Sequence, residues 1–382
     1  MLVLWQSNSG TASQSFNLPL SDAGAGVANI TPVSSRGSGT PTFARATPAY
    51  TRLSSGLWSL IASGSPRSMY SAAGVYLGYW REEARSNVLG GTDAIVRTMS
   101  DVGWVAGATM TVGTATGVDG GANACALLTG GAVAATNTIL FTTVLASAQR
   151  TYSVRVRRVS GTGVVSITDN GGTNWTPVTL TTTEQLFQIT RTQANPVVGV
   201  QVEGNGDSVA VDFNTIEAAT FANPTPIPVN VSKAADSLTY PIAGNLSGTV
   251  GSCYAEVYPV LIPSGAFGRI IGDTSSAGPS PLLFQASTGI VEVFDGTAER
   301  TPTAVANQNA VNKGASSWSG STCRVSLNGA ISNSLTFDGD LGMVGLNIGG
   351  DGATSSGMYG AIANVRIYVG AASPAQLQSW TA

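Results

Sequence analysis

The sequence predicts an all-β protein made of tandem antiparallel β-sandwiches of the jelly-roll type, preceded by an N-terminal anchoring region. Three observations predict this class. Apolar and polar residues alternate with a period of two in many short segments, Asn-Gly and Asp-Gly pairs recur along the chain, and no long amphipathic helix pattern interrupts them. Many short strands joined by tight turns are typical of sandwiches and jelly rolls.

The strand pattern is clearest at 151–159, where Val154 and Val156 alternate with Arg155 and Arg157. Because successive side chains of a strand point to opposite faces, this alternation predicts one apolar face and one face in water. The same texture returns in LFQIT, VVGVQVEG, SVAVDF, IVEVF, RVSLNGAI and ANVRIYV. These segments are predicted to pair as antiparallel sheets.

Turn dipeptides and one helix complete the predicted elements. Asn-Gly and Asp-Gly supply the positive φ angles of tight hairpins, and we expect such turns at Asn170-Gly171, Asp295-Gly296, Asn328-Gly329 and Asp338-Gly339. The C-terminal SPAQLQSW predicts a short helix, because Ser373 fits the N-cap, Pro374 the first helical position and Gln376 the capping box.

Two seams divide the chain into parts of ordinary domain size. The segment 223–230, NPTPIPVN, is predicted to be a stiff linker because it is rich in proline. A second, weaker candidate domain boundary lies at Gly90-Gly91. We therefore predict three parts, over 1–95, 96–228 and 229–382.

Composition excludes several classes of function. Of the 382 residues only 10% are charged, and the net charge of −3 argues against nucleic-acid binding. The sequence contains no run of eighteen apolar residues, so no membrane span is predicted, and MLVLWQSNSG shows no export signal. The chain has no histidine, which removes Ser-His and Cys-His nucleophile pairs. We expect Cys125, Cys253 and Cys323 to be buried thiols.

Two groups of acidic residues raise the question of catalysis. Glu82 and Glu83 are neighbours, so on a strand they point to opposite faces and do not converge on one cleft. We predict instead that Arg81, Glu82, Glu83 and Arg85 form a structural ion-pair element that fastens this segment to a neighbouring domain or subunit. Glu292 and Asp295 are three residues apart, and Asp295 belongs to a predicted hairpin, so no catalytic pair is expected there either.

Several patches, taken in order, resemble phage tail and fibre proteins. FARATPAY at 43–50 and REEARSNVL at 81–89 resemble an RA(S/T)PA element followed by an E-x-R-(T/S)-N-(L/V)-L element. Further resemblances lie at 101–128 and 204–228 (the start and close of a carbohydrate-binding-like jelly roll), 233–242 (an R-A-A-D-x-L element) and 360–380 (the end of a laminin-G-like, concanavalin A-like sandwich). The chain departs from the pattern at Ala219, where glycine is usual, and at Lys233, where arginine is usual.

The resemblance implies that 1–95 is an N-terminal anchoring region, 96–228 a carbohydrate-binding-like jelly roll and 229–382 a concanavalin A-like or laminin-G-like domain. It further implies a non-enzymatic virion structural protein, such as a fibre, spike or surface appendage, that presents lectin-like domains to host-surface glycans. The alternative is a capsid decoration protein or head fibre that mainly stabilises the shell; a polysaccharide depolymerase is a weaker alternative. The implied partners are other virion proteins, further copies of the chain in a homotrimer, and a host glycan. No cofactor, nucleic-acid partner or membrane insertion is expected, and the implied location is the virion, released by host lysis.

Candidate binding residues follow from the chemistry of sugars and calcium. A sugar ring stacks on an exposed aromatic face, and Trp175 and Trp318, flanked by small polar residues, are the candidates for such a platform, with packing inside the protein as the alternative. We place Trp58, Trp80 and Trp104 in the core. TDNGGTNW at 168–175 reads as a hairpin similar to an Asp-box. GNGD at 204–207 offers oxygen ligands for Ca²⁺, with Asn205 and Asp207 as the candidates.

Overall fold

The computed structural model describes residues 13–32, 36–229, 232–261, 268–276, 278–284, 289–296, 299–300, 305–351 and 357–382. Almost all regular structure in this part of the chain is β-strand in antiparallel sheets, which confirms the predicted fold class of tandem β-sandwiches. The chain divides into two compact units. Unit 1 comprises Met1–Gly56, Ile61–Ala84 and Ala234–Ala382, and unit 2 comprises Leu57–Leu60 and Arg85–Lys233.

The strands of the first half of the chain are β1 Ser13–Leu18, β2 Thr42–Ala44, β3 Ala49–Arg52, β4 Trp58–Ile61, β5 Arg67–Tyr70, β6 Tyr76–Arg81, β7 Trp104–Ala106, β8 Thr111–Ala115, β9 Cys125–Thr129, β10 Thr138–Thr142, β11 Ala148–Ser160, β12 Val165–Thr168, β13 Thr176–Val178 and β14 Gln185–Gln193. Those of the second half are β15 Val197–Val202, β16 Ser208–Glu217, β17 Ser237–Tyr240, β18 Val250–Leu261, β19 Gly268–Gly272, β20 Ser280–Phe284, β21 Val291–Phe294, β22 Glu299–Arg300, β23 Asn312–Ser319, β24 Thr322–Leu327, β25 Ala330–Ile331, β26 Leu335–Thr336, β27 Leu346–Ile348 and β28 Tyr359–Val369. Helices are short: α1 Asp93–Val96, a 3-10 turn at Ala134–Thr136, and α2 Pro374–Thr381.

Unit 1 contains a nine-stranded and a seven-stranded sheet. The first has the order β25-β24-β23-β18-β28-β6-β5, with β1 also paired to β28 and β26 to β24; the second has the order β2-β17-β27-β19-β20-β21-β22. Alternate residues of both sheets point inward and form one apolar core, which includes Phe16, Tyr79, Val257, Ile271, Val293, Trp318 and Val365.

The N-terminal part of the chain is not a separate unit, in contrast to the predicted region 1–95. Strands β1 and β6 both pair with β28, near the C-terminus. A central strand needs hydrogen-bond partners on both edges, and β28 obtains those of its second edge from the N-terminal segment. Unit 2 spans 85–233 apart from its short 57–60 segment, somewhat more than the predicted 96–228.

Unit 2 is a sandwich of two five-stranded sheets, with the orders β13-β12-β15-β10-β7 and β14-β11-β16-β9-β8. Its core follows the predicted alternation, since Val154 and Val156 are fully buried. The expectation for Arg155 was wrong, because only 3% of this residue is exposed. Its guanidinium lies 4.6 Å from the centre of the Trp58 ring, pairs with Glu184 and donates to the carbonyl of Pro224, so this part of the outer face is covered.

Most of the predicted local elements are confirmed. Asn170-Gly171, Asp295-Gly296 and Asn328-Gly329 connect paired strands. Asp338-Gly339 does not, because β26 and the next strand, β27, belong to different sheets. Helix α2 has the complete capping box, with the Ser373 hydroxyl accepting from the amide of Gln376 and the Gln376 side chain accepting from that of Ser373. The three thiols and the rings of Trp58, Trp80 and Trp104 are buried as expected.

Candidate functional site: a groove beside β28

A groove opens in unit 1 where two short strands share one edge of β28. Strand β6 pairs with residues 360–362 of β28 and β1 with residues 365–369, so neither covers Ala363 and Asn364. The pairing of β18 with β28 also shifts register at this point, and Asn364 has a φ of +51°. Such bulges interrupt the ladder and redirect side chains, and Asn tolerates the left-handed conformation better than most residues.

The groove has a volume of about 320 Å³, in the size range of small-molecule sites. Its lining combines aromatic, apolar and polar side chains, among them Ser21, Tyr76, Glu256, Tyr258, Val311 and Asn364. Glu256 and Tyr258 are two residues apart on β18 and therefore share a face, whereas Val257 points to the core. Val311, which is 55% exposed, contributes apolar surface.

Glu256 is held in place by two neutral donors. One carboxylate oxygen accepts from the hydroxyl of Tyr254 at 2.8 Å, and the other accepts from the side-chain amide of Asn364 at 2.8 Å. The unusual backbone of Asn364 therefore serves to aim its amide at the carboxylate. Each oxygen retains a lone pair for a further donor, so Glu256 is positioned but not saturated.

Tyr76 forms a second polar element of the groove. Among the described residues its hydroxyl has no hydrogen-bond partner although it is shielded from solvent. Its ring meets that of Tyr70 edge to face at 5.4 Å, and Tyr70 donates to Asp22 at 2.9 Å. Burial, together with the charge of Asp22 and the Tyr70 side chain, raises the pKa of Tyr76 well above its usual value. Tyr76 is therefore a neutral phenol whose donor is not used by any other described residue.

The predicted ion-pair element belongs to a larger set of buried charges. Arg67 pairs with Glu82 at 3.1 Å and with Asp236, which also binds Arg45 at 2.9 Å; these four side chains form what we call the charge cluster. Burial lowers the pKa of Arg67, but the neighbouring Asp236 and Glu82 outweigh that effect and raise it. The cluster is fully inside unit 1, so it offers no surface to a substrate, and removal of one partner would leave a buried charge without compensation.

Arg81, Glu83 and Arg85 also form pairs, each within one unit. Arg81 pairs with Glu83, whose carboxylate accepts from the amide of Gly357 at 2.7 Å in unit 1. Arg85 lies 3.7 Å from Glu217 in unit 2. Glu82 thus contacts the guanidinium of Arg67, and Glu83 contacts that of Arg81.

Trp318 does not provide the exposed platform considered for it. The residue has no exposed surface, and its indole donates to the carbonyl of Ser247 at 3.0 Å. Gly251 lies opposite it on β18, and a Cβ atom at Gly251 would come within 2.5 Å of the ring. The small residues around Trp318 make room for a buried ring, which is the physical reason that composition misled here.

Trp175 is half-buried and remains a candidate. It follows the 168–175 hairpin and packs against Gly172, where an added Cβ would meet the indole nitrogen at 2.9 Å. The turn is held by the Thr168 hydroxyl and the Asn170 side chain, which accept from the amides of Gly172 and Asn174. Asp169, the acid of this hairpin, pairs with Arg191 at 3.1 Å.

In the 204–207 loop, the carboxylate of Asp207 is bound by groups of the protein itself. The Asp207 carboxylate accepts from the amide of Gly163 at 2.5 Å and lies 3.4 Å from Arg158, while Asn205 is exposed. Within the residues the structure describes, no group of three or more Cys, Asp or Glu side chains is placed to hold a metal ion. Ca²⁺ binding at Asn205 and Asp207 stays a prediction. Glu292 and Asp295 are both buried.

Sequence reasoning did not find the groove, although one signal was present. CYAEVYPV places Tyr254, Glu256 and Tyr258 at a spacing of two, which puts two aromatic rings and a carboxylate on one face of a single strand.

None of the helices in the described ranges has the length and apolar character required to cross a bilayer.

The chain matches no protein-family model. It also matches no curated protein. Among solved structures it is similar to domain 4 of an extracellular arabinanase from Geobacillus stearothermophilus in complex with arabinotriose, with 18% identity over 43% of this chain and 81% of that one and a TM-score of 0.32. It is also similar to a sialidase carbohydrate-binding module from Ruminococcus gnavus bound to sialyllactose, with 14% identity over 38% of this chain and 93% of that one and a TM-score of 0.31. A third similar structure is the mouse laminin α1 LG4-5 pair, with 10% identity over 59% of this chain and 85% of that one and a TM-score of 0.25. All three TM-scores are below 0.5, and we take no functional conclusion from them.

Proposed function

We propose that this protein is a non-enzymatic structural protein of a bacteriophage particle that attaches to host-surface glycans through the groove beside β28. The observation that carries the binding function is the groove itself, where the Tyr76 and Tyr258 side chains adjoin a positioned carboxylate and an amide. Sugars are recognised by this combination, because aromatic rings stack on their C–H faces while carboxylates and amides bind their hydroxyls.

The assignment to a virion rests on the resemblance to phage fibre proteins, and the charge cluster supports it. Arg45 comes from FARATPAY, Glu82 from REEARSNVL and Asp236 from KAADSLTYPI, so three separate patches that carry the resemblance meet in one buried network. We propose a fibre, spike or surface appendage, present as a homotrimer and located in the virion.

Weak sites suit this role. One groove that holds a single sugar unit binds with low affinity, but several subunits per appendage multiply it through effective concentration. Immunogold imaging of intact particles tests the location. Labelling of a tail or surface appendage supports the proposal, whereas absence from purified particles contradicts it; labelling distributed over the head favours the decoration-protein alternative.

Glycan binding is tested with Tyr258→Ala and Trp175→Ala as a matched pair of aromatic truncations. We expect Tyr258→Ala to weaken binding to host polysaccharide at least about tenfold, because it removes an aromatic wall of the groove. Trp175→Ala, in unit 2, should bind like the wild type. Surface plasmon resonance on immobilised host polysaccharide measures both. The reverse result would move the site to the 168–175 hairpin.

A further inference from the structure

Glu256, which is half-buried, differs from the fully buried acids described above in having no positively charged partner among the described residues. Asp236, Glu82 and Glu83 all pair with arginine. The two oxygens of Glu256 accept only from Tyr254 and Asn364, which are neutral. Its negative charge is therefore uncompensated by any ion pair in the described part of unit 1.

The rest of the groove does not supply a cation. The lining contains no lysine or arginine among the described residues. The two nearby cations do not line the groove: the guanidinium of Arg366 lies 5.4 Å from the Tyr254 ring centre, and Lys313, opposite Glu256 on β23, donates from its ammonium to the carbonyl of Ala382 at 2.5 Å. Asp22, close to Tyr76, adds a second negative charge nearby. Glu256 is therefore the one charged side chain among the described lining residues, and a ligand in the groove meets its negative charge directly.

The hydrogen-bonding groups of the groove also favour a positively charged ligand. An ionised carboxylate only accepts, so the group that meets Glu256 must be a donor. Tyrosine faces also attract cations, which adds to the effect of the carboxylate. An ammonium group satisfies both conditions, a hydroxyl satisfies the first, and a carboxylate on the ligand satisfies neither.

We propose that the groove prefers a saccharide with a free amino group, bound as its ammonium form against Glu256, and disfavours acidic sugars. This inference rests on the proposed glycan-binding function and specifies its ligand class. The ammonium forms a charge-assisted hydrogen bond with Glu256 while the sugar ring lies between Tyr76 and Tyr258.

Three β-1,4-linked tetrasaccharides of equal length test the preference by isothermal titration calorimetry. They are the fully deacetylated glucosamine tetramer, cellotetraose and the tetramer of glucuronic acid. We expect the glucosamine tetramer to bind at least about tenfold more tightly than cellotetraose, and the glucuronic acid tetramer to bind most weakly. Raising the salt concentration should reduce the preference, because screening weakens charge interactions at a partly open site.

Glu256→Gln and Glu203→Gln separate the groove from general attraction of cations to an acidic protein. Both substitutions remove one negative charge, but Glu203 is exposed in unit 2. Glu256→Gln should reduce the preference to less than about threefold while cellotetraose binding stays near the wild-type value. Glu203→Gln should retain the preference.

Distinct results overturn the inference and the proposed function. If cellotetraose and the glucosamine tetramer bind equally, or if the preference survives in Glu256→Gln, the ammonium assignment is wrong and glycan binding stands. If Glu256→Gln does not fold, a preference of the wild-type protein that does not change with salt is sufficient to reject the assignment. If Tyr258→Ala binds host polysaccharide like the wild type, the groove is not the glycan site.

Discussion

The interior and the groove of unit 1 use the same kinds of side chain in opposite ways. In the interior, Trp318 has its indole hydrogen-bonded and Asp236 contacts two guanidinium groups. In the groove, the Tyr76 hydroxyl is unpartnered among the described residues and Glu256 has only neutral donors. The comparison shows two uses of polar groups. Those whose hydrogen bonds and ion pairs are all made within the protein stabilise the fold, whereas those that are held in place but can still make a hydrogen bond are available to a ligand.

The largest expected effect concerns the interior aromatic ring. Trp318→Ala should lower the free energy of unfolding by about 3 to 5 kcal/mol, because it leaves a cavity and strips the partner from the Ser247 carbonyl. Urea-induced unfolding followed by circular dichroism measures the change. Trp175→Ala is the control and should cost less than about 1.5 kcal/mol, since Trp175 is only half-buried. Equal losses would contradict the buried position of Trp318.

A slightly smaller effect is expected in the charge cluster. Asp236→Asn should lower the free energy of unfolding by about 3 kcal/mol, because it leaves the buried Arg45 and Arg67 with Glu82 as the remaining carboxylate of the cluster. Denaturant titration measures it, and the exposed Asp338→Asn should change the value by no more than about 0.5 kcal/mol. A tolerated Asp236→Asn would mean that the cluster does not hold unit 1 together.

The smallest effect on stability is expected in the groove. Glu256→Gln should change the free energy of unfolding by less than about 1 kcal/mol, because no ion pair is lost and the amide oxygen still accepts one of the two hydrogen bonds. The same denaturant titration applies. A loss as large as that of Asp236→Asn would show that Glu256 is a structural residue and remove the contrast between the two regions.

Local signals account for what the sequence predicted correctly. The strand at 151–159, the turn at Asn328-Gly329 and the capping box at Ser373 each depend on residues a few positions apart, and all three elements appear in the structure. Arg155 and Trp318 were misjudged because their burial depends on distant partners, namely Trp58 and Gly251. Neighbours in sequence do not report which face of a sheet another segment covers.

The sequence by itself therefore determined that the chain forms sandwiches, where its tight turns lie and how its last helix begins, because backbone conformation and side-chain alternation are set locally. Only the tertiary structure decided that β1 and β6 share one edge of β28. That arrangement brings Ser21, Tyr76, Glu256 and Asn364, separated by up to 343 positions, to one groove. Long-range strand pairing depends on the sum of many contacts, so no single stretch of sequence encodes it.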